Sequence, residues 1–114
     1  MKAGAMPRSV TNYAKKKIKG IHCLSKKVNG TGRKRHAAVL LDLIDKHAVE
    51  IRELYEKKDG HFLVETGDLL VLCLEMLEEF KRSPDVVMEK CYGRYERKLF
   101  SLLEQKREKR GGSV

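Results

Sequence analysis

The chain has 114 residues, of which 36% are charged and only 6% aromatic, a size for one domain with a thin core. The N-terminus lacks a long apolar run, so neither a signal peptide nor a membrane span is expected, and a composition with no Trp and two Pro suits helices better than a β-sandwich. The net charge of +9 is unevenly spread: residues 1–35 carry 11 Lys/Arg and no acid, while the other 14 Lys/Arg are set against all 16 Asp/Glu.

A basic arm, 1–35, thus precedes a nearly neutral body, and such an arm attracts phosphate as nucleotide, nucleic acid or an acidic partner. Within it, "SVTNYAKKKIKGIHCLSKKV" predicts a short helix with Ser9 as cap, Val10, Tyr13, Ala14, Lys17 and Ile18 roughly aligned, and Gly20 as its end. "NGTGRKR" (29–35) reads as a basic loop. It is not a nucleotide-binding P-loop, because the GxxxxGK[ST] spacing is missing and no strand precedes it. Lys15, Lys16 and Lys17, or Arg33, Lys34 and Arg35, are candidates for gripping phosphate; a solvated arm is the alternative.

From His36 to Lys58, Leu40, Leu43, Ile44, His47, Ile51 and Leu54 fall on one helical stripe. His47 on that stripe reads as a satisfied core histidine, and the four histidines show no ligand spacing. "KKDG" breaks the helix, with Asp59 placed to cap the next one, from about Gly60 to Arg82. In "SPDVV", Ser83 is an N-cap, Pro84 sits at the first helical position and Asp85 at the positive end of the dipole. The last helix is expected to carry Val87, Cys91, Tyr95, Leu99 and Leu102 inward, and 111–114 reads as a disordered tail. The three cysteines, Cys23, Cys73 and Cys91, have no CxxC spacing, and the two that lie in apolar helical patterns read as small buried hydrophobes kept reduced in a cytoplasm. The predicted fold class is all-α: an antiparallel bundle of three long helices, spanning 36–110, plus a short N-terminal one. The helix around 69–74 is apolar on most of its circumference and needs cover that a second subunit would provide.

The short turn makes the first two long helices antiparallel neighbours. Glu53 and Glu65 lie six residues either side of Asp59, and Glu50 and Asp68 nine, so at about 1.5 Å per residue each pair sits roughly 9 and 13 Å from the turn. Within each helix the two acids are i, i+3 and share a face. If those faces meet, four carboxylates converge and need a cation; oxygen ligands of this kind select Mg²⁺ or Mn²⁺. The alternative is a solvated face, since His61, Glu65, Asp68, Leu72, Glu75 and Glu79 share one side of their helix.

"EIRE" (50–53), a short interval, then "ETGD" (65–68) followed by "LL" resembles the ExxE…ExxD signature of the all-α nucleoside triphosphate pyrophosphohydrolases, the superfamily of MazG, the dimeric dUTPases and HisE. "VETGDLL" is similar to the "EELGDLL" of MazG-like chains, and "KCYGRYERKLF" (90–100) resembles their closing helix; the likeness spans 36–104. Eleven residues separate the motifs, short for the family, and Tyr92 stands where its last helix carries asparagine. A second ExxE, Glu53/Glu56, shortens the interval further. The resemblance implies a MazG-like bundle and cleavage of a nucleoside triphosphate to monophosphate and pyrophosphate. It also implies Mg²⁺ (or Mn²⁺) on Glu50, Glu53, Glu65 and Asp68, with Glu50 or Glu53 as base, and a dimer or dimer of dimers. Arg94, Arg97, Lys98, Lys34 and Arg35 are then candidate phosphate contacts. A non-catalytic helical module binding nucleotide or nucleic acid through the basic arm is the rival reading.

Overall fold

The structure, a computed structural model, describes residues 5–30 and 32–112, with side chains for 12–30 and 32–110. The described residues form four helices and no strand: α1 (Ala5–Asn29), α2 (Arg33–Glu56), α3 (Phe62–Glu79) and α4 (Pro84–Gly112). They divide into two units, residues 1–81 and 82–114, so α1–α3 and α4 are taken separately.

In the first unit α2 packs chiefly on α3, and α1 lies across α3 and, less extensively, α2. The α2 stripe faces inward as its periodicity requires: Leu40 is fully buried, and Leu43, Ile44, His47, Ile51 and Leu54 are half-buried. α2 ends with Lys58 at φ 61°, where the amide of Asp59 donates to the Leu54 carbonyl at 2.9 Å and that of Lys58 to Tyr55 at 3.0 Å. Asp59 Oδ1 accepts from the His61 amide at 2.9 Å within the turn, but it does not cap α3, which begins at Phe62 with His61 as its N-cap and no side-chain cap bond.

Three further expectations need correction. α1 does not stop at Gly20 but continues to Asn29, and Ser9 lies within a helix that already begins at Ala5, its side chain outside those described. Gly20 costs a helix interior only about 0.5–1 kcal/mol. Burial of Ile18 and His22 on either side of it outweighs that. The stop comes at Gly30, whose φ of 99° is open to glycine, and its amide donates to the Lys26 carbonyl at 2.8 Å. α2 begins at Arg33, so most of the basic loop is helix. The cysteines are not buried: Cys23 and Cys73 are exposed and Cys91 half-buried, all as free thiols.

In the second unit, α4 begins at Pro84 with Asp85 in its first turn and runs to Gly112; 113–114 lie outside the described residues. Val87 and Cys91 are half-buried, but Tyr95, Leu99 and Leu102 are exposed rather than inward. A unit of one helix has no second layer on which to bury a stripe.

The interior of α1–α3 is unusual in what it buries. Besides Ile18, Leu40 and Leu72, the buried side chains among the described residues are His22, His36, Glu75 and Glu79. The α3 side shared by His61, Glu65, Asp68, Leu72, Glu75 and Glu79 is solvated at His61 and Asp68, but from Leu72 onward it is the core face. Neither nitrogen of His36 has a hydrogen-bond partner among the described residues, nor has Glu75 Oε1. Each unsatisfied buried group costs roughly 1–3 kcal/mol. Meanwhile Leu41, Val49, Tyr55, Leu63, Val64 and Leu70 are exposed on α2 and α3.

Candidate metal site between two helices

The second acidic motif delivers its carboxylates to the α2–α3 interface. Thr66 turns its hydroxyl back onto the Phe62 carbonyl at 2.8 Å, satisfying itself within the first turn of α3. Glu65, one position earlier, lies inward with 14% of its side chain exposed, and Asp68 follows at the rim with 55%.

The group that meets them from α2 is His47. Its Nε2 lies 3.3 Å from Glu65 Oε1 and 4.0 Å from Asp68 Oδ2. Its Nδ1 is 2.9 Å from the Leu43 carbonyl oxygen. A carbonyl can only accept, so Nδ1 carries the hydrogen and Nε2 is the nitrogen that faces the two carboxylates. This is the second-sphere anchoring that metal-binding histidines commonly have. His61 approaches the other Glu65 oxygen at 3.4 Å from one turn earlier on α3. One atom each from His47, Glu65 and Asp68 lies within 4.8 Å of the others.

An imidazole nitrogen facing two carboxylates is favourable in two states: with the ring protonated, or with a cation among the three groups. The donor set fits a divalent ion. One nitrogen with carboxylate oxygens is suited to Mn²⁺ as well as Mg²⁺, a softer set than four carboxylates alone.

Glu50 and Glu53, placed in this site by the sequence, are both exposed and lie outside the three-residue group. Glu50 is one turn beyond His47 on α2. Lys34 and Arg35 are exposed on α2, 13 and 12 residues before His47, which is about 18–20 Å along the helix. Arg94, Arg97 and Lys98 are exposed on α4 in the second unit, with the Arg97 guanidinium passing close to Gly93. Arg33 is engaged elsewhere: its Nε lies 3.7 Å from Glu79 Oε2, and its guanidinium is 5.5 Å from the Phe80 ring centroid.

His47, which the sequence places on the apolar stripe as a satisfied histidine, is hydrogen-bonded and half-buried there, and it is the member of this three-residue group that the sequence reading left out. Its signal was present: a polar ring centred on an apolar stripe, facing a helix that carries two acids. A second group, His22, His36 and Glu79, brings its donor atoms equally close at the other end of the bundle. No known family model matches the chain, and neither a characterised protein nor a solved structure is significantly similar to it. No described helix is long and apolar enough to cross a membrane.

Proposed function

We propose that the chain is a divalent-metal-dependent nucleotide pyrophosphohydrolase, converting a nucleoside triphosphate to its monophosphate and pyrophosphate. The observation that carries this reading is the meeting of His47 Nε2 with Glu65 and Asp68 across the α2–α3 interface. The order of the two motifs, ExxE on α2 and ExxD on α3, supports it, as does their presence on adjoining antiparallel helices.

A bound divalent ion supplies charge neutralisation for the polyphosphate and activation of water. Glu65 and Asp68 hold it, with His47 oriented by Leu43. Glu50 and Glu53, exposed on α2 outside the three-residue group, are the candidates that would take the proton of the attacking water. Exposed apolar side chains on α2 and α3 support assembly into a homodimer, which would complete the core and bring further groups to the site.

A second reading rests on α1, where Lys16, Lys17, Lys19 and Lys27 are exposed. A helix of that charge binds nucleic acid without catalysis. One assay separates the two: a panel of nucleoside triphosphates with Mg²⁺ or Mn²⁺, read as released pyrophosphate. Metal-dependent pyrophosphate release supports the hydrolase. A salt-dependent gel shift with no release from any nucleotide supports the binding module and ends the enzymatic reading.

A further inference from the structure

Where α1, α2 and α3 meet near the α1–α2 turn, the bundle buries four ionisable side chains with too few partners. His22 Nε2 and Glu79 Oε1 are 2.7 Å apart, linking residues 57 positions distant in sequence. His36 Nε2 lies 3.9 Å from the same oxygen, and the two imidazole rings meet edge to face with centroids 5.3 Å apart. His36 is completely buried, yet neither ring nitrogen has a hydrogen-bond partner among the described residues. Glu75, buried one turn before Glu79 on the same α3 face, also has an oxygen without a partner.

We propose that this junction is a buried divalent-metal site, with His22, His36 and Glu79 as its ligands. One donor atom from each of the three lies within 4.8 Å of the others. A tetrahedral ion with metal–donor bonds of about 2.0–2.1 Å wants its donors about 3.3 Å apart. The observed 2.7 and 3.9 Å separations bracket that value, so small side-chain shifts suffice. A divalent ion offsets the charge of the buried carboxylates Glu75 and Glu79, which a core does not tolerate uncompensated. Imidazole nitrogen selects Zn²⁺ and its transition-metal neighbours over Mg²⁺. The ion is structural, because its ligands are buried and come from three helices that it ties together. Arg33 serves as the outer support: it reaches Glu79 Oε2 at 3.7 Å and leaves Oε1 to the metal.

This site is independent of the proposed hydrolase, lying 11 residues from His47 along α2, about 16 Å. The test uses the full chain, stripped with a chelator and given Zn²⁺ alone. The expected result is one equivalent of Zn²⁺ retained with a raised melting temperature, and X-ray absorption showing two imidazoles around the ion. His47→Leu must keep both features. His36→Leu must lose the Zn²⁺ gain, while its metal-free form melts no lower than wild type because two unpartnered nitrogens are gone. The proposal is overturned if wild type retains no Zn²⁺, if His36→Leu gains as much stability from Zn²⁺ as wild type, or if His47→Leu abolishes binding. Should His36→Leu fail to fold, the absorption spectra of wild type and His47→Leu decide: fewer than two imidazoles in either overturns it.

Discussion

His47 and Glu65 meet across the α2–α3 interface at 3.3 Å, although His47 lies 12 residues before Asp59 and Glu65 only six after it. Distance from the turn is therefore not what selects the α2 partner of the ETGD motif. The partner is the polar residue at the centre of the α2 stripe. Glu50 and Glu53 flank that stripe and stay in solvent, which divides the four acids into a pair at the interface and a pair beside it.

That division has a kinetic consequence. Glu65→Gln should weaken Mn²⁺ binding at least tenfold, a loss of about 1.4 kcal/mol or more, because it removes the most buried carboxylate of the group. Glu50→Gln and Glu53→Gln should each leave stability within about 0.5 kcal/mol of wild type. One of them should lower kcat for pyrophosphate release by roughly 10²–10⁴-fold, as loss of a general base does. Paired isothermal titration and steady-state kinetics check this. Equal metal affinity in Glu65→Gln and wild type would remove Glu65 from the site.

How much of this was legible beforehand differs from element to element. Ser83-Pro84-Asp85 and the Asp59 turn announced where α4 and α3 begin, because capping and turn signals depend on residues a few positions apart. The α2 stripe was legible for the same local reason. The run of α1 through Gly20 was not, since it depends on Ile18 and His22 burying against other helices. Nor was the inward turn of Glu75 and Glu79. Their wheel position is fixed by sequence, but which side of α3 faces the bundle is set by contacts between elements. The acid-bearing side looked solvated on polarity alone, and from Leu72 onward it carries the core.

The two glycines of the α1 region give a test of that helix. Gly20 sits in a helix interior with open space around its missing Cβ, so Gly20→Ala should stabilise by about 0.5–1 kcal/mol. Gly30 holds φ 99°, so Gly30→Ala should destabilise by about 1 kcal/mol or more. Urea denaturation of both variants measures the difference. A helix that ended at Gly20 would give the reverse order.

Assembly is tested on the exposed apolar side chains of α3. Leu63 and Leu70 are 66% and 63% exposed in the single chain. If they are covered by a second copy, Leu63→Glu with Leu70→Glu should convert a dimer to a monomer by light scattering at micromolar concentration. Circular dichroism should remain helical, because neither residue is in the core of one chain. A monomeric wild type would show that these side chains meet solvent or another partner.

Asp68→Asn separates mechanism from scaffold most cleanly. Asparagine keeps the volume and one carbonyl oxygen but removes a charge from beside Glu65 and His47. If the group holds a cation, metal affinity and turnover should fall tenfold or more. An acid that merely lines a solvated rim would leave both unchanged and stability within about 0.5 kcal/mol. Asp68 is 55% exposed, so its removal leaves no cavity, and any large effect must act through charge or coordination. The measurement is a set of thermal melts of both proteins, with and without millimolar Mg²⁺ or Mn²⁺. A ligand stabilises only the state that binds it, so the metal should raise the wild-type midpoint and do little for the variant. A Zn²⁺ arm guards against confusion with the buried histidine pair, since Asp68→Asn should leave that response intact. Equal responses to Mg²⁺ and Mn²⁺ in the two proteins would make Asp68 a surface acid and leave Glu65 as the one carboxylate of the proposed site.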